Sequence, residues 1–276
     1  MTNIKTFEYG NKIILKDARG RKYMTMLEKD RSFQCHMGII YHETLIGSNP
    51  GSWHATNKGN LLFATFPTYN DFITLTNRET QIIYPKDIAT ILNLADIQSG
   101  DFVIEGGMGS GTLTSALLNS VGPTGTVISY EINPKVVPLA TRNVEFLSRD
   151  PGVHTVKQKN IYRSLPERNI DKIILDLPEP WKIVTKASRS LRPGGIFVAF
   201  LPTILQAHKL VSSLHENILF TSVETIEVLH RTWHITKQSA RPSHRMVGHT
   251  GFLTTAVRCE SRHQDKLPCS TVSPRT

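Results

Sequence analysis

From about residue 80 onward, short apolar runs alternate with stretches of helical spacing, and that rhythm confines the chain to a parallel α/β sheet. Phe102-Val103-Ile104 reads as a first buried strand, and residues 112–118 open a helix that Gly122-Pro123 ends. Val127-Ile128-Ser129-Tyr130 is a second strand. The next helix takes Asn133 as its N-cap and Pro134 in its first turn, where a missing N–H is harmless. Further strands are expected around 153–157, 171–176 and 195–201, with helices between them. Residues 223–232 and 249–258 alternate more regularly, as an antiparallel pair closing one edge of a sheet would.

Residues 7 to about 75 follow another pattern. Lys12-Ile13-Ile14-Leu15 leads into the turn Asp17-Ala18-Arg19-Gly20 and then Lys22-Tyr23-Met24-Thr25-Met26. Turn formers recur at 47–52 and 57–60, each flanked by apolar or aromatic residues. Short strands at this spacing predict a small antiparallel barrel or sandwich. The expected organisation is a small β domain over 1–78, an α/β domain over 79–259, and a disordered polar tail over 260–276.

Lys and Arg number 32 against 23 Asp and Glu, giving a net charge of +9. Such a balance suits a polyanionic partner, because neutralising phosphates releases condensed counterions. It equally describes a basic surface without one. No apolar run reaches the ~20 residues of a membrane helix, and the amino terminus lacks the apolar core of a secretory signal. The three cysteines are odd in number and widely spaced, which fits a reducing compartment, so a cytoplasmic location is expected. His230, His234, His244 and His249 cluster in sequence, but no Cys or carboxylate completes a tetrahedral set and no metal is expected.

Two motifs carry chemistry. Glu105-Gly106-Gly107-Met108-Gly109-Ser110-Gly111-Thr112 lies between the first strand and its helix, where glycines bring backbone N–H groups close to a ligand. Glu131 follows Gly111 by 20 residues, at the end of the second strand, placed to take both ribose hydroxyls of an adenosine-containing cofactor. A dinucleotide fingerprint would need Gly or Ala where Thr112 stands, and Glu105 would repel a pyrophosphate. S-adenosylmethionine brings an ammonium and a sulfonium instead, so it is the cofactor favoured. The second motif, Asp176-Leu177-Pro178-Glu179-Pro180-Trp181, follows the apolar run Ile173-Ile174-Leu175. It reads as a buried strand delivering one acid to the rim of a sheet, beside an exposed shelf stiffened by prolines. Between Asp176 and the glycine turn, a slot sized for a purine is expected.

Four blocks, TQIIYPKD at 80–87, EGGMGSGTLT at 105–114, DLPEPW at 176–181 and RPSHRMVGHTGFL at 241–253, resemble the tRNA (adenine-N1)-methyltransferase family that modifies adenine 58 in the T-loop. The resemblance runs from about residue 7 to 258. It implies a class I, Rossmann-like methyltransferase domain behind a small N-terminal β-barrel, a homotetramer as in bacterial and archaeal members, tRNA as partner, and Asp176 as the main catalytic residue. Gln81, Glu105, Gly107, Met108, Gly109, Ser110, Gly111, Thr112, Glu131, Asn160, Ile161 and Asp176 would hold the cofactor. Tyr84 would work beside Asp176, and Tyr84, Pro178, Trp181, Phe200, Arg241, His244, Arg245 and His249 would meet the RNA. Two positions depart from the family. Phe200 stands where bacterial relatives usually have a tyrosine, and Asn160 where relatives often have an aspartate. Two other readings fit the residues: a methyltransferase for a protein carboxylate or small molecule, and a non-catalytic RNA-binding subunit.

Overall fold

The computed structural model describes residues 5–75 and 82–261. The chain divides into two compact units between residues 79 and 80.

The first unit contains β1 (Lys12–Lys16), β2 (Lys22–Met26), β3 (Ser32–Cys35), β4 (Gly38–Tyr41), β5 (Ser52–Ala55), β6 (Leu61–Thr65) and α1 (Tyr69–Leu75). Asp17 builds the β1–β2 turn by accepting from the backbone N–H groups of Arg19 and Arg21 at 2.9 and 3.0 Å. Antiparallel pairing gives the order β2-β1-β6-β5, while β3 and β4 form a separate ribbon. Ile13, Leu15, Leu62 and Ala64 pack with Phe7, Leu27, Ile40 and Leu45 into one core. The antiparallel strands are those the turn spacing predicts. Their ladders among the described residues leave β2 and β5 as edges rather than closing a ring.

The second unit contains α2 (Pro85–Leu94), β7 (Phe102–Gly106), α3 (Thr112–Val121), β8 (Thr126–Tyr130), α4 (Val137–Leu147), β9 (His154–Lys157), β10 (Ile170–Asp176), α5 (Val184–Ser190), β11 (Leu191–Leu201), α6 (Ile204–Glu216), β12 (Phe220–Glu227), β13 (Trp233–Ile235), β14 (Ala240–Pro242) and β15 (Phe252–Arg258). Seven strands form one sheet in the order β12-β15-β11-β10-β7-β8-β9. The run from β11 to β9 is parallel. Period-two alternation sorts the strand residues between its faces. Ile104, Tyr130, Ile173, Leu175, Phe197 and Ala199 join the core under α5 and α6. Glu105 and Ser129 alternate with them and take the opposite face, where Thr114 of α3 meets Glu105.

The expected antiparallel pair closes one edge of the sheet, β15 lying between β11 and the outermost β12. One expectation needs correction: the fourth helix begins at Val137 with Pro138 in its first turn. Asn133 instead closes a preceding turn, its Oδ1 accepting from Lys135 N and its carbonyl from Val136 N.

Candidate active site

β7, β8 and β10 end at the same rim of the sheet, and each delivers one carboxylate there: Glu105, Glu131 and Asp176. Packing makes the glycines of the intervening loop obligatory at two positions. Gly107 has φ +88° and lies so close to β10 that a Cβ would stand 2.2 Å from the Asp176 carbonyl oxygen. Gly111, at φ +76°, abuts α4, with 2.6 Å between that hypothetical Cβ and the Ala140 carbonyl oxygen. Asn143 of α4 donates to the Ser110 carbonyl at 2.9 Å and pins the loop from the same side. The turn is thus clamped between β10 and α4, with its amides held at the N-terminus of α3.

Glu105 is fully buried. Its Oε2 accepts from Thr114 Oγ1 at 2.7 Å and from Ser129 Oγ at 2.5 Å, and the Ser129 hydroxyl also meets His154 Nε2 at 2.9 Å. Among the described residues its Oε1 has no partner. Burial dominates the two hydroxyl bonds, and repulsion from Asp176 and Glu131 adds to it, so the Glu105 carboxyl is pushed up to about 8. Asp176 is raised to about 6, first by burial and then by Glu131. Glu131 is tied down by backbone amides: Oε1 accepts from Ile132 N and Asn133 N, both at 2.8 Å, and Oε2 from Gly109 N at 3.3 Å. Burial likewise lowers His154 to about 4, so it is the neutral end of this chain of polar groups.

Gly107, Met108, Gly109, Ser110, Thr112, Leu113 and Asp176 line a slot whose other wall is Ile82 and Ile83. Its volume is about 10 Å³, the room of a single water. The purine-sized slot expected from the sequence is therefore not formed in this structure. Ile82 and Ile83 share the lining of the small slot with Asp176 and the glycine turn, while Glu131 is bound to the loop through Gly109 N.

The remaining expected site residues separate into near and far. Phe200 sits opposite Asp176 in the β10–β11 ladder and is 7% exposed. Its ring lies on Gly251, where a Cβ would stand 2.4 Å from it. Tyr84 is half-buried at the N-cap of α2, its carbonyl accepting from Asp87 N and Ile88 N. Asn160 Oδ1 accepts from Tyr162 N, which commits its acceptor to the local turn, and Ile161 is buried in the core. Pro178 is exposed, but Pro180 is buried at the start of a short 3-10 turn, so only the first half of the expected shelf faces solvent. Trp181 departs from expectation: its ring packs against the core under α6, with Lys209 Nζ 4.4 Å from the ring centre, and it does not line the slot. Arg241, His244 and Arg245 are exposed on and after the β13–β14 hairpin, with Arg241 touching His244. His249 is committed on both sides, Nδ1 to Glu227 Oε1 at 2.6 Å and Nε2 to the Pro202 carbonyl at 2.8 Å. Both partners are acceptors, so both ring nitrogens carry protons, and the Glu227 bond raises the His249 pKa. Gln81 lies outside the described residues.

Sequence reasoning missed Thr114, Ser129, His154 and Asn143, which hold Glu105 and the loop. The period-two register of β7 with β8, which pairs Glu105 with Ser129, was the available signal. It also missed Tyr162, whose Oη accepts from Glu179 N at 3.1 Å and ties the loop after β9 to the proline shelf.

A profile described as "tRNA methyltransferase complex GCD14 subunit" matches residues 63–241, and one described as "TrmI-like N-terminal" matches 6–53. The chain belongs to the GCD14/TrmI family of tRNA methyltransferases. It is 35% identical over 246 residues, 89% of this chain and 96% of the relative, to the tRNA (adenine(58)-N(1))-methyltransferase TrmI of Thermus thermophilus. Among solved structures, a protein from Thermotoga maritima described as a SAM-dependent O-methyltransferase superposes with a TM-score of 0.88 at 31% identity, covering 92% of this chain and 95% of its own. The tRNA (m1A58) methyltransferase TrmI of Aquifex aeolicus superposes with a TM-score of 0.82 at 25% identity, covering 93% and 100%. The chain thus has the Rossmann-like methyltransferase fold. Among the described residues, no helix is long and apolar enough to cross a membrane.

Proposed function

We propose that this chain methylates N1 of adenine 58 in the T-loop of tRNA, using S-adenosylmethionine. The observation that carries the reading is the convergence of Glu105, Glu131 and Asp176 on one glycine turn, where burial, with mutual repulsion added to it, raises the pKa of Glu105 and Asp176. Such a site suits a cationic cofactor and opposes a pyrophosphate. The unpartnered, fully buried Glu105 Oε1 fits the cofactor's ammonium, and Glu131, released from Gly109 N, fits its ribose. Met108, Ile161 and the amides of Gly109 and Ser110 would complete the cradle, with Asn160 offering its amide N–H₂ to an adenine ring nitrogen. When bound, S-adenosylmethionine supplies an electrophilic methyl on a sulfonium.

Adenine N1 carries no proton in the neutral ring, so the chain's residues need only orient it and offset the charge the ring gains. Asp176 does both. Its carboxylate accepts from the exocyclic N6–H₂, aims N1 along the methyl axis, and stabilises the cationic product. Phe200 flanks it as an apolar wall without the hydroxyl of a tyrosine. N1 is hidden by pairing in tRNA, so the base must leave its stack and the slot must widen to receive it. Tyr84 is the aromatic we assign to the base. Arg241, His244 and Arg245 lie exposed where phosphates would reach them. Leu229, Trp233, Ile235 and Val247 are also exposed in that region, which supports burial between subunits of a homotetramer. Unbonded Cys35 and Cys259 suit the reducing cytoplasm, where tRNA is modified.

Incubation with tritiated cofactor and unmodified tRNA should label the tRNA, and mass spectrometry should place the methyl on adenine 58. No label, or label that survives replacement of the T-loop adenines, overturns the reading. The O-methyltransferase description of the Thermotoga structure favours a hydroxyl-bearing acceptor as the second reading. A product resistant to RNase would support it. A chain that binds no S-adenosylmethionine by calorimetry would point to a non-catalytic RNA-binding subunit.

A further inference from the structure

Two of the four diagnostic blocks, TQIIYPKD and RPSHRMVGHTGFL, meet in space at a polar cluster that the reaction itself does not use. Asp87, near the start of α2, is completely buried. Its Oδ1 accepts from Lys86 Nζ at 2.7 Å and its Oδ2 from Thr250 Oγ1 at 2.7 Å. The same ammonium donates to Thr250 Oγ1 at 2.6 Å and to the Val228 carbonyl at 2.8 Å. All three protons of Lys86 are therefore used, and its side chain is 13% exposed. Three segments converge here: the first turn of α2, the exit of β12, and the residue two before β15.

What these segments carry gives the cluster its meaning. Tyr84, three residues before Asp87, turns the chain into α2 and accepts from Asp87 N at 2.9 Å. His249 precedes Thr250 and bridges Glu227 at the end of β12 to Pro202 at the end of β11. Gly251 follows Thr250 and forms the bed of Phe200, which faces Asp176. An ordinary helix start needs no buried ion pair, and breaking one leaves an uncompensated charge. Its presence here ties the residues on either side of the acceptor position to one rigid point.

We propose that Lys86, Asp87 and Thr250 are positioning residues that set Tyr84, His249 and the Gly251–Phe200 seat in register with Asp176. The assignment deepens the methyl-transfer reading and rests on it. Cofactor binding is held chiefly by β7, β8 and the glycine turn, and the residues of this block toward that side, Ile82 and Ile83, precede the cluster and make none of its bonds. The lock therefore acts mainly on the acceptor step.

Thr250→Val keeps the shape but removes one donor and one acceptor; Thr250→Ser restores both. In Thr250→Val, kcat/KM for tRNA should fall roughly tenfold or more, while the Kd for S-adenosylmethionine stays within about twofold. Thr250→Ser should return to near the wild-type rate. Lys86→Gln retains two donors on a shorter stem, and should show the same split if Thr250→Val folds poorly. Wild-type rates in Thr250→Val and Lys86→Gln, or losses shared equally by cofactor affinity, overturn the proposal. Hydrogen exchange gives a readout independent of turnover. The amides of Asp87 and Ile88 should lose protection in Thr250→Val and keep it in Thr250→Ser, and unchanged protection in Thr250→Val refutes the lock. Failure of the wild-type chain to label tRNA would instead count against the methyl-transfer reading, leaving the exchange result to decide the lock.

Discussion

Replacing Glu105 by Gln preserves size and an acceptor toward Thr114 and Ser129 but removes the titrating proton of the buried acid. With its pKa pushed up to about 8, Glu105 is roughly nine-tenths protonated at pH 7. An ammonium seated against the unpartnered Oε1 favours the carboxylate. If it brings the pKa to about 6, only about a tenth stays protonated, so binding releases ~0.8 proton. The ligand's own α-amino group, near 7.7–8.0 when free, takes up about 0.1 proton at pH 7. The net release is then about 0.7 proton, and the two-unit depression corresponds to ~2.7 kcal/mol of carboxylate–ammonium stabilisation. Titration calorimetry in buffers of differing ionisation enthalpy reads this number directly. Wild type should release about 0.7 proton and Glu105→Gln should take up about 0.1. Equal proton counts in the two proteins would refute the placement of the ammonium at Oε1. Stability gives a second check, with a definite sign. A pKa raised from 4.5 to about 8 in the folded chain adds stability that is full below 4.5 and gone above about 8. Without ligand, Glu105→Gln should flatten that slope in thermal melts.

Three further outcomes follow from the site. Asp176→Ala should lower kcat by about 10²–10³ with no loss of melting temperature, since it removes a desolvated charge from a strand tip. A near-normal kcat would defeat the role assigned to Asp176. Asp176 must be ionised to accept from the base, and its pKa is raised to about 6, so kcat/KM should fall as pH drops through about 6; a profile flat from pH 7 to 5 would contradict this. Gly251→Ala places a methyl against the Phe200 ring, so it should impair tRNA methylation while cofactor affinity measured by calorimetry is unchanged. Unaltered kinetics would show that the ring has room elsewhere.

The glycine turn, Glu131 and Asp176 were legible in the sequence because each is a local event: a strand ends, and a particular residue type follows. The succession of strands and helices along the chain was legible up to β11 for the same reason. The position of β15 was not, because alternation says that two strands pair without saying which of them lies next to β11. Trp181 misled because an indole beside two prolines reads as a surface platform. What draws it inward is α6, whose Lys209 lies nearly 30 residues further on. Lys86, Asp87 and Thr250 are more than 160 residues apart at their extremes, and no periodicity links them. Their presence within two blocks lacking a role in generic methyltransferases was the usable clue. The tight slot was illegible altogether, since it depends on where Ile82 and Ile83 come to rest against the glycine turn.

The insertion of β15 between β11 and β12 also imposes an order on biogenesis. During synthesis, β12 emerges from the ribosome before the strand that will separate it from β11, and β11 offers an unpaired edge until residues 252–258 arrive. That last strand brings Gly251, Thr250 and His249 with it. A nascent chain can therefore shape its nucleotide cradle early, but the acceptor side is assembled only once residues 249–258 have followed.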